Sequence, residues 1–142
     1  MCTGNTCRGP MAEVIFKKFS HHMELEVISR GLIVLFPQPS NPKGELVLKN
    51  HDLLLENHVS KQLKKEEIEE TTLVLTMTAT QKHKVIEEYG KKEDVFTIKE
   101  FVKEEGDVLD PYGGDLTDYE NCYVELARLI KKTVVKLNGN ME

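Results

Sequence analysis

The sequence has no tryptophan, and only three cysteines and five prolines in 142 residues. An odd, small set of cysteines does not make the disulfide framework of a small secreted domain. It fits free thiols in a reducing cytoplasm. No apolar run approaches the ~20 residues that a membrane-crossing helix needs, so no membrane partner is expected. The apolar stretch of a secretory signal is missing too: the N-terminus is polar and contains glycine. Cationic excess is also lacking, since 19 Lys and Arg face 24 Asp and Glu for a formal net charge of -5. That removes the electrostatic footprint of a nucleic-acid binder. Any phosphate site must therefore be local, built from a few donors. His21, His22, His51, His58 and His83 show no metal-ligand spacing with other donors and read as solvated or loop side chains. No metal and no cofactor is expected.

What is present is an ordinary globular balance, 39% hydrophobic and 30% charged, in a length that suits one domain, 1–142, with a real core. Residues 10–23 have Met11, Val14, Ile15 and Phe19 on one face at helical spacing, with Pro10 suited to a first helical position. Residues 25–29 partly alternate and predict a strand. Residues 36–44 read as loop, 46–56 as helix and 64–70 as a short, charged, solvated helix. Residues 73–77 predict a strand, and 79–89 a helix stopped by Gly90. Residues 95–97 predict a short strand followed by a helical turn through Phe101, and 110–115 a loop. Residues 116–137 predict a long amphipathic helix with an apolar stripe of Tyr119, Cys122, Tyr123, Leu126, Leu129, Ile130 and Val134. Asp115 and Asp118 suit a cap at its start. Alternating strands and helices imply an α/β fold with a parallel sheet.

The chemistry gathers in the first eight residues. Cys2-Thr3-Gly4-Asn5-Thr6-Cys7-Arg8 puts five residues between a cysteine and an arginine, just before a helix. A loop of this length can turn its backbone amides inward on one oxyanion, and the following helix adds its positive end. Gly4 tolerates close backbone approach. Arg8 can grip two phosphate oxygens with its planar fork. The same positive field favours a Cys2 thiolate as nucleophile, and Asn5 can orient the loop. Far along the chain stands Asp110-Pro111-Tyr112-Gly113-Gly114. Proline holds the preceding aspartate extended, which suits a carboxyl group presented over a pocket to protonate a leaving atom. Tyr112 suits a wall for the substrate side chain. Each motif alone also reads blandly, as a small buried cysteine or as turn punctuation; together they point to phosphoryl transfer.

The two motifs resemble the low-molecular-weight protein tyrosine phosphatase family. Its loop signature runs V-C-x-G-N-x-C-R-S-P-x-A-E, and residues 2–13 here read C-T-G-N-T-C-R-G-P-M-A-E. Its acid loop D-P-[YF] matches Asp110, Pro111 and Tyr112. Ser29-Arg30-Gly31, His58-Val59-Ser60 and Leu75-Thr76-Met77-Thr78 fall where the family has similar text. The resemblance implies a small doubly wound domain around a four-stranded parallel sheet, its first strand largely missing here. Carried over, it makes Cys2 the nucleophile, Arg8 the phosphate ligand, Asn5 a loop stabiliser, Asp110 the acid, and the backbone of Thr3, Gly4, Asn5, Thr6, Cys7 and Arg8 the phosphate site. It implies a phosphocysteine intermediate and a phosphorylated protein as substrate. Thr6 and the stretches Val95-Phe96-Thr97-Ile98-Lys99-Glu100 and D-V-L-D-P-x-G-G resemble the bacterial protein-arginine phosphatase branch, which carries Thr at that position; the family's tyrosine phosphatases carry an Ile-like residue there. Phosphoarginine is thus the favoured substrate; Tyr112, where that branch often has Phe, leaves phosphotyrosine open. The resemblance also allows a reversible disulfide between Cys2 and Cys7.

Two departures stand out. The family strand before the loop is reduced to Met1, so the domain reads as truncated at its N-terminus and its strand neighbours are expected to expose unpaired edges. The family serine after the loop arginine is Gly9, removing a hydroxyl expected to donate to the thiolate, an effect of roughly 1.5–3 kcal/mol. Two other functions compete. An arsenate reductase on this fold needs two further downstream cysteines, and only Cys122 is there, on the apolar stripe. A catalytically impaired phosphate-binding relative is suggested by Gly9 and the short strand. Tyr119 and Tyr123 read as packing residues, Tyr119 also as a phosphorylation site.

Overall fold

Local side chains start most of the helices. The protein is described from a computed structural model, for residues 1–55 and 57–139. Helix α1 spans Arg8–Phe19 and α2 Pro42–Asn50; strand β1 is Val74–Thr76, α3 Ala79–Tyr89, β2 Val95–Thr97, α4 Ile98–Phe101 and α5 Leu116–Leu137. Asn41 caps α2 by accepting from the Lys43 amide, with Pro42 in the first turn. Thr78, Thr97 and Asp115 each cap their helix in a reciprocal pair with Gln81, Glu100 and Asp118. Gly90, at φ 70°, ends α3 in the left-handed conformation expected of it. The ranges expected for α3, β2 and α5 match those observed, and the Asp115–Asp118 cap is present.

Other boundaries moved. Helix α1 starts two residues before Pro10 and stops at Phe19, where the Ser20 hydroxyl and amide both bond back to the Phe16 carbonyl. Helix α2 begins at Pro42, inside the expected loop, because the Asn41 cap fixes its start. It ends at Asn50, where Asp52 takes a φ of 61° and the Leu53 amide returns to the Leu48 carbonyl; Glu56, the last residue of the helix expected there, lies outside the described residues. The charged 64–70 segment forms only a 3₁₀ turn, Lys65–Glu67.

Strands β1 and β2 pair in parallel, Val74 with Val95 through Thr76 with Thr97. On the far side of β1 the pairing thins to single parallel bridges, Cys2 with Gly31 and Gly31 with Gln62. The Leu32 amide donates to the Cys2 carbonyl, the Ile33 amide to the Thr3 carbonyl, and the Met1 ammonium to the Leu75 carbonyl at 2.7 Å. Residues 1–3 thus lie between the Gly31 segment and β1. The strand expected over residues 25–29 does not form. A strand needs a ladder on at least one side; the bridges formed here involve Cys2, Gly31 and Gln62 rather than residues 25–29, and Leu25 and Ile28 are left exposed. The molecule is a small parallel sheet flanked by helices.

The main core lies between α1, α2 and α5, around Met11, Ile15, Val47, Leu48, Tyr119, Leu126, Leu129 and Ile130. A second, smaller cluster, Leu32, Val74, Val85 and Val95, sits where the sheet meets α3. Among the described residues no helix is long and apolar enough to cross a membrane.

Candidate active site

The loop from Cys2 to α1 is held from inside by Asn5. Asn5 takes a φ of 59°, a conformation that asparagine tolerates better than most residues. It is wholly buried, and every polar group of it is used. Its amide donates to Cys2 Sγ at 3.2 Å, and its Nδ2 donates to Ser29 Oγ at 3.0 Å. Its Oδ1 accepts from the Lys61 amide at 3.0 Å, and its carbonyl is 2.8 Å from His58 Nε2. Behind Ser29, the Glu13 carboxylate accepts from both the Ser29 amide and hydroxyl. Burial alone would raise the Glu13 carboxyl; the hydrogen bonds from Lys17 and Ser29 outweigh it and hold the group below the usual range. Sequence reasoning placed Ser29 and His58 in family text without a role and read His58 as a loop residue. Glu13 stood only as the closing residue of the matched loop signature, also without a role.

Cys2 is buried, and its sulfur meets the first turn of α1 at Gly9. Among the described residues, the amides of Thr3, Gly4, Thr6, Cys7 and Arg8 donate to no protein acceptor. They are left for an anion at the start of a twelve-residue helix that has no side-chain cap. Arg8 is also buried. Its Nη1 donates to the Val108 carbonyl at 2.8 Å, and its Nη2 lies 3.6 Å from Asp110 Oδ2. Asp110 is thereby brought over the loop from a hundred residues away. Its Oδ1 accepts from the Tyr112 amide at 3.0 Å, a short turn that fixes the carboxylate while Tyr112 stays exposed. The base of this acid loop is tied to the segment after β1 and to the start of α3: the Val108 amide donates to the Met77 carbonyl and the Ala79 amide to Asp107.

Cys7 faces away from the loop mouth, its sulfur 3.4 Å from the Tyr119 hydroxyl. Burial pushes its thiol up despite hydrogen bonds from Tyr119 and Thr6. Tyr119 is fully buried, which corrects the expectation of a phosphorylation site there; it is the packing residue also expected. The Cys122 thiol is pushed up to about 12 by burial, as suits a core cysteine. All three thiols are free. His51 is not a simple solvated side chain: it stacks on Tyr123 and pairs with Glu120. Among the described residues, no group of three or more His, Cys, Asp or Glu is placed to hold a metal ion.

One sulfur and a run of unbonded loop amides precede the buried Arg8 guanidinium, which meets the Asp110 carboxylate at 3.6 Å, and proteins similar to this chain in sequence and fold are phosphatases. The family described as low molecular weight phosphotyrosine protein phosphatase matches residues 1–142. The chain is 38% identical to the protein-arginine-phosphatase of Bacillus subtilis, covering 96% of this chain and 93% of that one. It is 39% identical to the low molecular weight protein-tyrosine-phosphatase PtpB of Staphylococcus aureus, covering 93% and 92%. In structure it is similar to the YwlE arginine phosphatase of Geobacillus stearothermophilus, with a TM-score of 0.89 at 36% identity over 96% and 89% of the two chains. A YwlE variant with a phosphorylated active-site serine gives 0.89 at 36%, over 98% and 93%. The chain belongs to the low molecular weight phosphotyrosine protein phosphatase family.

Proposed function

We propose that this chain is a cysteine-dependent phosphatase for phosphorylated protein, and that its substrate is phosphoarginine. The observation that carries the reading is the run of unbonded loop amides between Cys2 and α1, ending at Arg8, whose guanidinium is held on the acid loop 3.6 Å from Asp110. In this mechanism the amides of the loop and the Arg8 fork bind the phosphoryl oxygens. The Cys2 thiolate attacks phosphorus, the P–N bond breaks, and the Asp110 carboxyl gives its proton to the leaving guanidine. Water then attacks the phosphocysteine, Asp110 takes a proton from it, and the thiolate leaves with inorganic phosphate as the other product. Donation from the Asn5 amide to Cys2 Sγ favours the charged sulfur at both ends of the cycle.

The choice of phosphoarginine is supported by Thr6, whose hydroxyl can contact a guanidinium where an Ile-like side chain would pack on a ring, and by the likeness to the Bacillus protein-arginine-phosphatase. Phosphotyrosine is the second reading, favoured by Tyr112 and by the likeness to PtpB. The free thiols and the acidic net charge suit a reducing cytoplasm and a protein partner rather than nucleic acid.

Acid quench of turnover on a labelled phosphoarginine peptide tests the reading. It should trap the label on Cys2, and Cys2→Ser should abolish release of phosphate while vanadate still binds. Turnover by Cys2→Ser would overturn the nucleophile. For the substrate, Thr6→Ile should move the phosphoarginine-to-phosphotyrosine ratio of kcat/KM towards phosphotyrosine by about tenfold, a change of ~1.4 kcal/mol in transition-state energy. An unmoved ratio would remove Thr6 as selector.

A further inference from the structure

The two loops of the site are joined on one side by the Arg8–Val108 bond. A second connection runs through the start of α2, which touches neither the sulfur nor the acid. The Asn41 amide donates to the Thr6 carbonyl at 2.9 Å, gripping the phosphate loop. The Asn41 side chain then accepts from the Lys43 amide at 2.9 Å, so Lys43 is set by the same cap. The Lys43 side chain crosses to the acid loop, where its Nζ donates to the Gly114 carbonyl and lies 6.0 Å from the centre of the Tyr119 ring. From Gly114 the chain of contacts continues inward: its amide donates to the Pro111 carbonyl, and the Tyr112 amide holds Asp110 Oδ1. Position 114 lies close against α5, since a Cβ there would be 2.9 Å from Asp118 Cβ.

We propose that Lys43 is a positioning residue for the acid step: it strings the turn that carries Asp110 to the cap that grips the phosphate loop, and so sets the height of the carboxyl over the bound phosphoryl group. The inference rests on the reading of Asp110 as general acid. Proton transfer depends steeply on placement, since a misplacement of ~1 Å can cost about a hundredfold, whereas Lys43 bonds neither the loop amides nor Arg8, which has its own tie to the Val108 carbonyl. Loss of the tie therefore falls on the step in which the O–H bond of Asp110 breaks and the leaving atom takes the proton.

The experiment compares kcat/KM on two aryl phosphates. Nitrophenolate departs readily without a proton, while phenolate requires one. Lys43→Ala is expected to lose about tenfold on phenyl phosphate and no more than about twofold on nitrophenyl phosphate. Lys43→Arg, which keeps a donor of similar reach, should recover most of the loss. Asp110→Asn is run beside it and should show the same selectivity more strongly, with Lys43→Ala adding little in the double variant. The inference is overturned if Lys43→Ala loses equally on both substrates, loses nothing, or is not rescued by Arg, while Asp110→Asn remains leaving-group selective. If Asp110→Asn itself shows no selectivity, the acid assignment fails, and the role of Lys43 with it. Thermal unfolding of each variant separates loss of fold from loss of placement, and a selective loss in Lys43→Arg at full stability also counts against the inference.

Discussion

At position 9 the backbone of α1 runs against the sulfur. A Cβ there would lie 3.0 Å from Cys2 Sγ, 3.0 Å from Asn5 Nδ2 and 3.6 Å from Ser29 Cβ. The missing hydroxyl is therefore only half of what Gly9 changes. Serine would bring a donor within reach of the thiolate, and also a carbon closer than the neighbours tolerate without shifting. Asn5 Nδ2 cannot yield cheaply because it already donates to Ser29. The two effects separate in a pair of substitutions. Gly9→Ala adds the carbon alone and should lower kcat. Gly9→Ser adds carbon and donor and should run about tenfold faster than Gly9→Ala, since a hydrogen bond to a charged group is worth ~1.5–3 kcal/mol. Pre-steady-state measurement of phosphocysteine hydrolysis gives the ratio. Equal rates for Ala and Ser would mean that the hydroxyl does nothing for the sulfur. The expectation from sequence counted the lost donor and not the close packing, because a string of letters does not display the 3.0 Å approach. The same limit explains Glu13, Ser29 and His58. They meet around Asn5 only once α1 and two distant segments are folded together, and no local spacing announces it. Cys2, Asn5 and Arg8 were legible because the loop that unites them is continuous in sequence.

Elements followed a similar division. Helix α5 was readable to the residue, since its apolar stripe and its Asp115–Asp118 cap are both written within the helix and its first flanking residue. Helix α3 carried its own cap and its glycine stop. Helix α2 was misjudged at both ends although Asn41-Pro42 is a start signal; the signal sat among Pro, Ser and Gly that read equally well as loop. Strands were less legible, because a strand is defined by its neighbour. Val95–Thr97 pairs with Val74–Thr76 and was found. Residues 25–29 have equally suitable alternation and no ladder beside them, so their pattern remained unused. Tyr112 and Leu109 show the converse: both are largely exposed, at 74% and 79%, and both flank Asp110 on the acid loop.

On the scale of the whole molecule, the two apolar clusters divide the chain unequally. Among the described residues the α1–α2–α5 core contains sixteen buried residues, Cys2, Cys7, Met77 and Ile98 included, while the Leu32–Val74–Val85–Val95 group has four. Opening free energies follow buried apolar contact, so such a chain does not breathe evenly. Amide exchange should reveal a ranking. Protons in α5 around Leu126–Ile130 should exchange only on global unfolding, and those of β1 and α3 should exchange earlier, through partial opening that leaves α5 closed. Uniform protection across both halves would contradict this. The phosphate loop belongs to the slow half: its two cysteines are part of the larger core, and Arg8 and Gly9 are the first residues of α1. Excursions of the sheet edge and α3 can thus come and go while the anion cradle stays assembled, so that occupancy of the cradle by phosphate should slow exchange in α1 and α5 far more than in α3.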